Sequence, residues 1–349
     1  MRSRLTSRLR NAFESIELFA GAGGLALGLE FAGFSARALV ERDRYCCETL
    51  RFNAARYFPA ATILQRDIRW LSGRKLLAAA GISRARVDLI SGGPPCQSFS
   101  ICKIPKGGRS ARDPRDALLG HFVRLTKKIR PPAFLFENVP GLMSKSGGRI
   151  FRDLVRSFQS LGYNTAYSVI NAVEYGVPQH RRRLFVVGSL NNLPDPMFPQ
   201  PTHGPSNKRP RLSRYVSIRE AFSNLPPHLP NQRIPVNRRE KRKMLASLAP
   251  GSEWKHWRHR DRWNGPSRCL TAHCRDDWVH PREPRAASVR ELACLQAYPN
   301  DYVFRGPFNA PNNSSRSFQY RQVGNSVPVL MAKVIGEALI NSVFRSRRG

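Results

Sequence analysis

Short apolar runs alternate with amphipathic stretches through the first half of the chain, and Gly- or Pro-marked turns close most runs. The runs predict strands over 14–20, 36–40, 87–91 and 133–137, with a later strand over 184–188. Helical spacing of apolar positions predicts helices over 25–32, 44–55 and 118–129. Strands and helices that alternate in this way form an α/β fold, a doubly wound and mostly parallel sheet. Ligands of such sheets bind outside the carboxyl ends of the strands. After Gly188 the helical periodicity weakens and Pro and Asn become frequent. Helical patterning returns over 288–296 and 327–342.

These changes divide the chain into 1–189, an irregular 190–287, and a segment 288–349 that returns to the first part. At 349 residues there is enough chain for one large domain and a smaller one. Charge then narrows the function. Lys and Arg number 58 against 24 Asp and Glu, a formal net charge of +34. Such an excess costs self-repulsion unless a polyanion is near, so nucleic acid is the expected partner. An Arg-rich proteome is the competing explanation. Between 191 and 287 there are 19 Lys or Arg against 8 Asp or Glu, with four of the five Trp. The seven cysteines are odd in number and form no C-x-x-C pair, which fits a reduced intracellular protein. No apolar run approaches the roughly 18–20 residues of a membrane helix, so no membrane partner is expected. The basic stretch 1–10 has no apolar core and reads as a solvated or phosphate-touching arm.

Candidate chemistry sits at the strand ends. Leu18-Phe19-Ala20-Gly21-Ala22-Gly23-Gly24-Leu25 follows the first strand and opens the first helix. Glycines there allow a tight turn and bare N–H groups near a helix N-terminus. Glu41 ends the second strand about 20 residues on, where a carboxylate accepts ribose hydroxyls. The same spacing serves a nicotinamide cofactor or plain packing. Asp67 is either an acceptor for an adenine amino group or an ordinary surface acid. Ser91-Gly92-Gly93-Pro94-Pro95-Cys96-Gln97 puts a thiol on a turn that two prolines stiffen, which suits an aimed nucleophile better than a core cysteine. Phe134-Leu135-Phe136-Glu137-Asn138 sets a carboxylate after three apolar residues. An apolar setting lets such an acid hold its proton near neutral pH. A thiolate adds to carbon 6 of cytosine only when N3 is protonated or strongly hydrogen-bonded, which pairs Cys96 with Glu137.

At these residues the chain closely resembles the cytosine-C5 DNA methyltransferases of bacterial restriction-modification systems. Six blocks appear in that family's order. They are 19–24, Pro94-Pro95-Cys96-Gln97, Glu137-Asn138-Val139, Gln179-x-Arg181-x-Arg183, Arg290-Glu291 with Leu295-Gln296, and Gln322-x-Gly324-Asn325-Ser326-Val327. The resemblance implies a Rossmann-like fold and the cofactor S-adenosyl-L-methionine, released as S-adenosyl-L-homocysteine. It implies Cys96 as nucleophile on a flipped-out cytosine, Glu137 at N3 and the exocyclic amine, and Asn138 supporting Glu137. Arg183 would contact cytosine O2, with Arg181 steadying the site. The cofactor would lie against Phe19, Ala20, Gly21, Gly24, Glu41, Asp67, Ile68, Pro95, Leu118, Asn325 and Ser326. Here 324–327 reads as a turn followed by a helix start, a place where backbone donors gather. Glu17 stands where the family usually has Asp, a change of small weight on a strand. Pro105-Lys106-Gly107-Gly108-Arg109 reads as a basic loop that closes over DNA, and Cys102 as a spare thiol.

The implied partner is double-stranded DNA, with no obligate protein partner, a monomeric state and a bacterial cytoplasmic location at the nucleoid. Region 190–287 would be the target-recognition domain, reading sequence through Arg contacts to guanine. Its Trp254-x-x-Trp257 cluster, with His256, Arg258 and His259, reads as a small core rather than a groove wedge. Cys269, His273, Cys274 and His280 lack zinc-ligand spacing, so no metal is expected. The rival substrate is a tRNA cytosine methylated with the same blocks, against which the long basic insert argues.

Overall fold

A computed structural model of the chain describes residues 13–95, 116–205, 212–223, 225–226, 228–232, 249, 253–254, 258–283, 285–308 and 318–345. Seven strands form the main sheet: β1 Phe13–Leu18, β2 Phe34–Glu41, β3 Thr62–Gln65, β4 Leu89–Gly92, β5 Ala133–Asn138, β6 Tyr163–Asn171 and β7 Arg182–Leu190. Their order is β3-β2-β1-β4-β5-β7-β6. β1 to β5 pair in parallel, while β7 runs antiparallel to both β5 and β6. The chain moves from β1 outward to β3 and then returns to β4 on the other side of β1. A crevice therefore opens beyond the ends of β1 and β4, the usual ligand position in such sheets.

The predicted strands and helices all form, with ends shifted by a few residues. The pattern did not single out β3, β6 and the helices Gly73–Ala80 and Arg149–Ser160. Both strands lie at sheet edges, where partial exposure blurs the apolar run that marks a central strand. The reading of 324–327 is corrected. Gly324 and Asn325 end the helix Phe318–Asn325, and Ser326 N–H bonds to the Val323 carbonyl. That corner therefore presents carbonyls, and the next helix starts only at Val329, after Pro328.

The helix Gly24–Ala32 ends at Gly33, whose φ of 111° closes it. It packs against the C-terminal helix Val329–Leu339, and a side chain on Gly28 would strike Ala332 and the Val329 carbonyl. This contact fixes the end of the chain beside its first turn. Residues 318–345 are apolar and long enough on average to cross a membrane, yet 61% of their most apolar stretch is buried here. Within 190–287, short strands pair as 203–204 with 213–214 and as 253–254, 258–260 and 278–279. Trp278 is buried in one apolar cluster with Leu270, Ile218, Leu39 and Tyr302. Trp257, His256 and the arm 1–10 lie outside the described residues.

Candidate active site

Two turns leave the sheet side by side. The first follows β1. Phe19 and Gly21 adopt left-handed φ of 60° and 54°, and a side chain on Gly21 would meet no atom within 4 Å. The turn therefore faces open space. Gly21 N–H donates to Glu41 Oε2 at 2.9 Å, and the N–H groups of Arg42 and Asp43 donate to Oε1, each at 2.7 Å. Glu41 thus holds the turn and keeps lone pairs for further donors. Ala20 N–H bonds to the Val40 carbonyl at 3.0 Å. Asp67 accepts from Arg69 through both oxygens and from Arg42, and the Arg69 hydrogen bonds hold its carboxyl well below the usual range. Ile68 is buried and Leu118 half-buried against the core of that face.

The far wall comes from the end of the chain. Tyr302 Oη donates to the Ala22 carbonyl at 2.6 Å. Tyr298 Oη lies 2.7 Å from Ser326 Oγ, which itself donates to the Gln322 carbonyl. A side chain on Gly24 would collide with the Val327 carbonyl. Asn325 is exposed and Ser326 buried. Ser326 thus reaches the first turn beside Gly24, but just past a helix end rather than at a donor-rich helix start, and the exposed Asn325 is its neighbour.

The second turn, Gly93–Pro95, follows β4. Asn138 Nδ2 donates to the Pro94 carbonyl at 3.2 Å, and Asn138 Oδ1 accepts from Val139 N–H at 2.9 Å. Asn138 therefore ties the turn to β5. Glu137, its neighbour, is buried and lies 3.1 Å from Arg183 Nε through Oε1. Burial raises its carboxyl, against the lowering by Arg183 and Arg181, and the raising prevails. A side chain on Gly93 would come within 2.5 Å of Glu137 Oε2, so the carboxylate lies over a bare backbone. Arg181 is fully buried, with Nη1 donating to the Leu270 carbonyl at 2.7 Å and Nη2 to the Gly324 carbonyl at 2.9 Å. Burial pushes it down to about 10. Pro95 is exposed. Cys96 is the next residue and lies outside the described residues, as do Gln97, Cys102 and the loop 105–109.

The structure thus brings Glu137, Asn138, Arg181 and Arg183 together beside the turn that leads to Cys96. Among the described residues no cluster of His, Cys, Asp and Glu suits a metal. Sequence reasoning missed the parts Gly93, Tyr298 and Tyr302 play. Gly93 stood inside a quoted motif, but nothing in one dimension showed that it makes room for Glu137. Glu17 also gains weight: it is buried 3.5 Å from Ser91 Oγ, and burial pushes its carboxyl well up.

A sheet of this order, with a glycine turn after β1 and a buried acid at the end of β5, defines a Rossmann-like methyltransferase fold. Residues 13–341 match the family model of the C-5 cytosine-specific DNA methylases, and the chain belongs to that family. The type II methyltransferase M1.HphI of Haemophilus parahaemolyticus is 36% identical over 340 residues, covering 93% of this chain and 86% of the relative. M.XorII of Xanthomonas oryzae is 31% identical, covering 94% and 84%. The crystal structure of a prophage-encoded DNA modification methyltransferase of E. coli superposes with a TM-score of 0.75 at 25% identity, covering 95% and 99%. Dnmt2 of S. pombe shares the fold at a TM-score of 0.62 and 17% identity, covering 94% and 98%.

Proposed function

We propose that this chain transfers a methyl group from S-adenosylmethionine to carbon 5 of a flipped-out cytosine within a specific duplex DNA sequence, with Cys96 as nucleophile. The observation that carries the reading is Glu137. It is a buried acid with a raised proton affinity, braced by Arg183 over the bare backbone of Gly93. Cys96 is covalently one residue beyond the turn that Asn138 ties to Glu137.

Residues at the first turn fit an adenosine cofactor. Gly21 opens on free space, Glu41 has acceptor capacity for hydroxyls, and Asp67 stays ionised beside Ile68. Phe19, Ala20, Gly24, Pro95, Leu118, Asn325 and Ser326 would complete the enclosure. Bound there, S-adenosylmethionine supplies an electrophilic methyl group. Glu137 would share its proton with N3 while Cys96 adds to carbon 6, which makes carbon 5 electron-rich. Once carbon 5 has taken the methyl group, with S-adenosylhomocysteine as leaving group, loss of the carbon-5 proton and departure of Cys96 would restore the aromatic ring. Arg183 would meet cytosine O2, and Arg181 would steady the site through its bonds to the Leu270 and Gly324 carbonyls.

Carbons 5 and 6 are hidden in stacked duplex, and flipping costs a few kcal/mol. Phosphate contacts from a chain of net charge +34 offset that cost. Region 190–287 would read the target, and the protein would act where the DNA is, in the bacterial cytoplasm. The relatives named M1.HphI and M.XorII are type II methyltransferases, which favours a restriction-modification role and DNA over tRNA. A labelled methyl donor offered with duplex DNA or with tRNA tests this: label should enter DNA, and label entering only tRNA would contradict it.

A further inference from the structure

Arg181 is a fully buried cation, and among the described residues no carboxylate lies within ion-pair distance of it. Its acceptors are the Leu270 and Gly324 carbonyls and the Cys269 sulfur, which lies 3.4 Å from Nη1. Of these, only the sulfur can carry negative charge. Arg181 Nε has no partner. A buried guanidinium without a counter-charge is costly to hold in place, so its few acceptors decide where it sits. Cys269 is partly buried and also lies 3.6 Å from the Leu270 carbonyl. Arg181 stands two residues from Arg183, which pairs with Glu137. The sulfur thus meets Arg181 and interacts with Arg183 as well, and Arg183 in turn pairs with the acid.

We propose that Cys269 is a positioning residue for methyl transfer: its sulfur fixes both Arg181 and Arg183, and through Arg183 the acid Glu137. The thiol is well suited to accept from a cation. Burial would push it up, but Arg181 and Arg183 prevail and hold it below the ordinary thiol range. A polarised sulfur is a stronger acceptor for a charged donor than a neutral thiol. The other cysteine of this stretch, Cys274, shows the contrast. It is buried, its thiol faces the Tyr320 carbonyl, and burial pushes it up.

The inference rests on the methyl-transfer reading, so the full-length parent enzyme must first methylate duplex DNA; a soluble parent that does not would sink that reading instead. Cys269→Val and Cys269→Thr have nearly equal shapes, and only the second offers an acceptor. Steady-state kinetics on both would be compared with the parent. Cys269→Val should lower kcat by about tenfold or more, the size of one lost hydrogen bond to a charged group. Its KM for S-adenosylmethionine should stay within about twofold, because the first turn is untouched. Cys269→Thr should recover most of kcat. Equal kcat in Val variant and parent, or a Thr variant as impaired as Val, would overturn the proposal. A Val variant that lost cofactor affinity together with kcat would also overturn it, since that pattern marks a general structural role.

Discussion

At the scale of single residues the proposed reaction turns on Glu137, whose environment sets the direction of its pH response. Burial raises its carboxyl and the arginines only partly offset this, so the protonated form persists above the ordinary carboxylate range. The acid works when protonated; activity should therefore fall on the alkaline side as Glu137 ionises. Glu137→Gln keeps the shape and loses the transferable proton. Single-turnover methylation should slow by about a hundredfold or more, and a near-normal rate would remove Glu137 from the mechanism. Gly93 offers an independent check. A methyl group there would approach Glu137 Oε2 at 2.5 Å and push the carboxylate off Arg183. Gly93→Ala should depress kcat while S-adenosylhomocysteine, measured by calorimetry, still binds. Sequence could single out Glu137 and Cys96, because each follows a strand-like apolar run and belongs to a distinctive string; the structure describes the surroundings of Glu137, while Cys96 lies outside the described residues. The role of Cys269 was not legible, since 88 residues separate it from Arg181 and only the folded chain joins them.

The turns and helix ends that hold these residues differ in how much of them sequence could reveal. Central strands β4 and β5 are buried on both faces and read as largely apolar runs, whereas the equally buried β1 also carries Glu14, Ser15 and Glu17. The edge strands β3 and β6 carry mixed exposure and escaped that pattern. The clamp of Tyr302 on Ala22 is equally invisible, because it joins positions 280 residues apart. Glu41 is the keystone of the first turn, with three N–H groups on its carboxylate. Glu41→Ala strands those donors and should weaken S-adenosylhomocysteine binding. It should also cost about 1–3 kcal/mol of stability in urea unfolding. Glu30, at the end of the helix Gly24–Ala32, gives a pH-dependent prediction. It accepts from Ala36 N–H, and burial raises it to about 7. A folded value above the unfolded one means that its contribution is complete below about pH 4.5 and lost as pH rises through about 7. Glu30→Gln keeps a neutral acceptor, so the variant should gain about 1–3 kcal/mol over the parent between pH 6 and pH 8.5. No change in that difference across the window would contradict the assignment.

For the whole molecule, charge and topology point to the same surface chemistry. The sheet order sets both turns side by side at the carboxyl ends of the central strands β1 and β4, and a net charge of +34 supplies the attraction for a polyanion. Duplex binding followed by fluorescence anisotropy should weaken by about a thousandfold between about 50 and 200 mM salt. A flat salt response would contradict phosphate-led binding. The α/β class, the partner and the order of the motifs were legible because each depends on local pattern or composition. The return of the C-terminal helix beside the first turn needed the folded contact at Gly28. The central claim is methylation of carbon 5 of cytosine through Cys96, and bisulfite sequencing of DNA from cells expressing the parent or Cys96→Ser tests it most directly. The parent should protect cytosines at one short recurring sequence, and Cys96→Ser should protect none. Protection that persists in Cys96→Ser, or its absence with a soluble parent that binds S-adenosylhomocysteine, would contradict the account.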